Sequence, residues 1–81
     1  MKLKTILAEY PDSTFKKWEG FDEAVVGIGE RCSMPLVLLY DRNKIIKKLA
    51  KSMTNEEAVE YFEFNILGAF IGDDTPIIVS L

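Results

Sequence analysis

The chain contains no histidine, and only one cysteine and three prolines in 81 residues. Without histidine it lacks the commonest general base, the usual partner in nucleophilic triads and the commonest metal ligand. A single cysteine, Cys32, excludes an internal disulfide and cannot build a structural zinc site, and it fits a reducing compartment. Arg31, beside it in sequence, would point to the opposite face of a strand, so Cys32 reads as a small buried hydrophobe rather than an activated thiol. No stretch reaches the roughly 18 apolar residues of a membrane span. In MKLKTILAEYP the longest apolar run is Ile6 to Ala8, too short for a secretion signal. The expected location is therefore cytoplasmic, with no membrane partner. The segment GIGERC lacks the third glycine of a dinucleotide fingerprint, and there is no phosphate-binding loop motif. No cofactor is expected. A net charge of -3 is too mild to define a partner, since a DNA mimic needs a denser acidic surface and a nucleic-acid binder a basic excess.

What is present is an ordinary globular composition, 48% hydrophobic and 28% charged. The length allows one domain, residues 1–81, burying roughly 60–65% of its unfolded surface. Leu3, Ile6, Leu7 and Tyr10 share a helical face that Pro11 ends. Residues 11–20 form a loop whose Phe15 and Trp18 cap one end of the core. AVVGIGER and LVLLY read as two strands of a hairpin, with Gly27 and Gly29 marking a bulge or a close backbone approach. A helix opening at Asp22 competes with the first strand, but two interior glycines would each cost it about 1 kcal/mol. Asp41 caps a helix with an apolar stripe of Ile45, Ile46, Leu49 and Met53, opposite Lys44, Lys47, Lys48 and Lys51. Thr54 and Glu57 form a capping box for a helix that runs to about Ile71, where Gly72 ends it in a left-handed conformation. Asp73, Asp74 and Thr75 then turn into a third strand, PIIVSL. The expected fold is a small α+β domain in which an antiparallel three-stranded sheet is packed by two main helices plus an N-terminal one.

The stretch EYFEFNILGAF, residues 60–70, holds four aromatics in eleven positions. On a helical wheel Ala58, Val59, Phe62, Ile66, Ala69 and Phe70 make a sufficient core face, while Tyr61, Phe64, Asn65 and Gly68 gather on the other side. Either the helix is central, with a second layer over that face, or the face meets a protein partner, a second copy of the chain included. A ligand pocket there is the third reading. In the first case Gly68 permits close approach and Asn65 ties to a backbone group. We expect Phe64 to be at least half buried in its own chain and the Tyr61 hydroxyl to be turned to water. Tyr61, Phe64, Asn65 and Gly68 are the candidate partner-binding residues.

Two other classes of function have candidate residues. Asp41, Asp73 and Asp74 could meet Glu56 or Glu57 to hold a divalent cation, as in a small carboxylate-dependent enzyme, although capping and turn roles already account for most of them. The lysine stripe from Lys44 to Lys51 could touch phosphates, but it has no interleaved aromatics, and lysines on the wet face of a helix are usual. The expectation is a non-catalytic protein without a metal site.

GFDEAVVGIGERC, PLVLLYDRNKII and MTNEEAVEYFEFNILGAFIGDDTPIIV, in that order, resemble a family of small proteins encoded by bacteriophages and prophages. Those proteins have a G-F-D-[DE]-A segment, then a Y-D-x-x-K helix start. An aromatic E-[YFW]-F-E-[FY]-N helix and a T-P-[IVF] ending follow. The likeness runs from Gly20 onward and leaves residues 1–19 outside it. It implies a phage or prophage origin and a small accessory role, and the expected role is to bind and modulate a host or defence protein.

Overall fold

PLVLLYD is apolar from Leu36 to Tyr40, the pattern of a strand buried on both faces. In the computed structural model, which describes residues 2–69 and 71–81 (residue 2 by its backbone alone), this run is the middle of a three-stranded sheet. The strands lie in the order β1 (Val25–Gly29), β2 (Val37–Asp41), β3 (Ile77–Val79). With helices α1 (Lys2–Glu9), α2 (Arg42–Leu49) and α3 (Asn55–Phe62) they form the α+β domain that the sequence predicts. The competing helix at Asp22 survives only as one 3-10 turn, Asp22–Ala24.

β1 and β2 pair antiparallel, as expected of a hairpin. The register shifts between Val25 and Gly27, so the bulge falls at Val26, next to a glycine. Gly29 supplies the close approach: a Cβ there would lie 3.0 Å from Leu39 Cδ2 and 3.4 Å from Val37 Cγ2. The wholly antiparallel sheet is corrected, because β3 runs parallel to β2, with Leu39 opposite Ile77 and Asp41 opposite Val79. A parallel neighbour needs a long crossover, and α2 and α3 lie within it.

Pleating sends Leu38 and Tyr40 to one face, where they are completely buried with Leu3, Ile6, Ala24, Val25, Ile45, Phe62 and Ile66. Phe15 and Trp18 pack against this cluster, as a capping loop should. The Trp18 amide donates to the Tyr40 hydroxyl at 3.0 Å, and the two rings meet edge to face at 4.9 Å. Asp41 caps α2 by accepting from the Asn43 amide at 3.0 Å. The capping box of α3 is complete: Thr54 Oγ1 accepts from the Glu57 amide, and Glu57 Oε1 accepts from the Thr54 amide. Two expectations fail here. The last helix stops well before Ile71, passing into a π-helical turn at Glu63–Leu67 and ending at Gly68. Gly72 does have a left-handed-region φ of 117°, but it belongs to the later turn closed by Thr75, whose amide donates to the Gly72 carbonyl. Cys32, expected to be buried, is exposed beside Ser33 in the β1–β2 connection. That connection is a surface turn, with the Met34 amide bonded to the Arg31 carbonyl, so it has no core to offer a thiol.

Two measurements test this core. Phe62→Ala should cost about 3–5 kcal/mol in a urea melt, because the ring is fully buried. Burial also raises the Tyr40 phenol above its ordinary 10.0, partly offset by the Trp18 amide that donates to it. A phenol raised in the folded state adds stability that is complete below the unfolded pKa and is lost as pH rises from there through the folded pKa. The urea midpoint should therefore fall as pH rises above about 10, and less steeply in Tyr40→Phe. An equal decline in both proteins would remove Tyr40 as the cause.

Candidate functional site

α3 presents two different sides. Ala58, Phe62 and Ile66 are buried and Val59 and Ala69 are half buried, so the expected core face is formed, while Phe70 lies outside the described residues. On the opposite side Tyr61 is 46% exposed and Phe64 is 83% exposed. The expectation that Phe64 is at least half buried is thus overturned. α3 packs on α2 and on the core beneath it, and a second layer over Phe64 is absent among the described residues.

Three of the four candidate residues come together. Tyr61, Phe64 and Asn65 line a shallow groove of about 390 Å³ with Met53, Glu57 and Glu60. Asn65 donates from Nδ2 to the Tyr61 carbonyl at 3.2 Å, the backbone tie that the central-helix reading expected, although the face is uncovered among the described residues. Gly68 does not join them. It lines a separate hollow of about 310 Å³ with Trp18, Ile66 and Leu67. Its amide bonds to the Glu63 carbonyl at 3.1 Å, five residues back, and a Cβ would sit 3.2 Å from that same oxygen. The missing side chain thus serves the close of the wide turn. Such turns inside helices occur often at functional sites. Here the turn begins at Glu63, next to Phe64.

The groove is acidic at its edge. Glu57 and Glu60 line it, and no lysine or arginine does. The Glu57 carboxyl is held below its ordinary 4.5 by the Thr54 amide and then by the Thr54 hydroxyl. Three of the five carboxylates considered for catalysis have separate duties. Asp41 is buried as a helix cap, Glu57 completes the capping box, and Asp74 pairs with Lys16 at 2.8 Å. That ion pair holds Asp74 below its ordinary 3.8. Among the described residues no three His, Cys, Asp or Glu side chains are grouped to hold a metal ion.

The lysine stripe forms a second groove that the helical wheel alone did not disclose. Lys44, Lys47, Lys48 and Lys51 line a hollow of about 340 Å³ together with Phe21, Glu23 and Ala24. Phe21 and Ala24 come from the segment around the 3-10 turn, which only tertiary packing brings against α2. Lys48 donates to the Gly20 carbonyl, and its ammonium lies 5.7 Å from the centre of the Phe21 ring. It clips the two walls together, a role that the wet-face reading of the stripe missed.

Lys47 and Lys51 have no such contact. Lys47→Gln and Lys51→Gln should each leave the urea midpoint within about 0.5 kcal/mol of the parent. A loss of several kcal/mol in either would mean that the stripe is part of the fold. Comparison with family models, with curated proteins and with solved structures finds no match to this chain.

Proposed function

We propose that the chain is a non-catalytic protein-binding domain, and that the groove of Tyr61, Phe64 and Asn65 is where it binds. The observation that carries this reading is Phe64, 83% exposed on a well-packed helix. Folding gains little from a phenylalanine in water, whereas aromatic anchors are enriched among the residues that dominate binding. The neighbouring groups define the partner. Met53 supplies an adaptable apolar wall, and the Tyr61 phenol a flat apolar body with a polar tip. Glu57 and Glu60 supply negative charge on the rim. The complementary occupant is a segment that inserts an apolar side chain and carries lysine or arginine beside it. The resemblance to phage and prophage proteins supports an accessory role, with a host or defence protein in the host cytoplasm as that partner.

Phe64→Ala separates binding from folding. The variant should keep its urea midpoint within about 0.5 kcal/mol, because the ring is exposed. As bait in host lysate, it should lose the protein that the parent retains, while Lys47→Gln bait keeps it. Equal recovery by all three baits, measured by quantitative mass spectrometry, would overturn the reading. Sedimentation of the parent and of Phe64→Ala tests whether the partner is instead a second copy: only then would the parent sediment as a dimer and the variant as a monomer.

A further inference from the structure

We propose that the lysine groove is a second binding site, independent of the first, for the phosphate backbone of a single-stranded nucleic acid. Four of the ten basic residues of a chain with net charge -3 stand on this one groove. Their positions work against the helix that carries them. Lys44–Lys47 and Lys44–Lys48 are like-charge pairs three and four residues apart on α2, and each repels, while Lys51 stands in the turn just beyond the helix. Lys47 and Lys48, in the last turn of α2, are favoured by the helix dipole. Lys44 sits in the first turn, where the dipole opposes a cation and the Asp41 cap is the acidic group that offsets it. Helix stability therefore accounts for two of the four lysines and not for Lys44.

The surroundings leave charge available for a ligand. Among the described residues, no carboxylate lies within ion-pair distance of Lys44, Lys47 or Lys51. Glu23, on the opposite wall, is the one carboxylate lining the groove, and it offsets only part of their charge. Lys48 is committed to the Gly20 carbonyl and the Phe21 ring, which fixes the wall and leaves three ammonium groups free to meet an anion.

Shape and chemistry select the ligand. The groove is a hollow of about 340 Å³ with an apolar floor from Phe21 and Ala24. A single strand can lie in such a hollow, whereas a duplex is too broad and needs a protruding element to enter its own grooves. At about 1.5 Å per residue, Lys44 to Lys48 rises about 6 Å along α2, and Lys51 continues the row in the turn beyond its end. All the cations are lysines, which act as point charges toward phosphate, and none is an arginine, the residue suited to forked pairing with carboxylates.

The test is the anisotropy of a fluorescent oligothymidylate titrated with the protein at several salt concentrations. Three phosphate contacts predict a slope of log K against log salt of about -2. Lys44→Gln, Lys47→Gln and Lys51→Gln should each make the slope shallower by about 0.7, and the triple variant should bind no measurable strand. Circular dichroism and a urea melt of each variant check that the fold is intact. Phe64→Ala should bind the strand as the parent does, so this site and the protein-binding groove can fail separately. Three results would overturn the proposal. One is no binding at low salt. Another is a slope unchanged by the three substitutions. The last is equal or tighter binding of a duplex or of polyglutamate, which would make the groove a general anion surface or an acidic-protein site.

Discussion

The domain depends on the complete burial of Leu38 and Tyr40 in the middle strand. They belong to a cluster that takes in side chains of all three helices, with Tyr10, Phe15 and Trp18 packed against it. Tyr40 adds direction to that burial. Its hydroxyl accepts the Trp18 amide, fixing the loop, and the next residue, Asp41, caps α2. A polar group buried with its partner specifies position in a way that an aliphatic side chain does not. Three consecutive structural tasks, core filling, loop anchoring and helix initiation, fall on neighbouring residues of one strand.

Both grooves follow from where that core stops. The core consumes one side of α3 and of the π-helical turn after it, through Ala58, Phe62 and Ile66, and one side of α2, through Ile45. The remaining sides differ in character: an aromatic hollow with an acidic rim on α3, and a basic hollow with an apolar floor on α2. The two hollows carry opposite charge, so a ligand drawn to one would be repelled by the other.

Much of the fold was legible because its determinants are local. Asp41, the Thr54–Glu57 box and the glycines of β1 each act within a few residues, and each does what the sequence indicates. The errors concern relations between distant segments. The direction of β3 depends on its crossover, and a strand followed by two helices and a strand was the available signal for a parallel pair. The α-helical wheel assumed even spacing through Glu63–Leu67, where a wide turn intervenes, and Gly68 marked an earlier stop than Gly72. The wheel separated Phe64 from the core correctly but could not say whether another layer covers it. For the same reason the basic groove was seen only as a stripe, since Phe21 is far from α2 in sequence.

The parallel pairing of β2 with β3 also sets an order of events. The β1–β2 hairpin closes a short loop, but Leu39 finds Ile77 only after the whole crossover has been brought together. The entropy of that closure must be met before the pairing returns any energy. β3 has only three residues and one neighbouring strand with which to offset it. This edge strand is therefore expected to dock late and to detach early, exchanging its amide hydrogens faster than β2. Uniform exchange across the sheet would contradict that sequence. On this account, the rate at which the domain matures is governed by the docking of its shortest strand, although most of its core lies elsewhere.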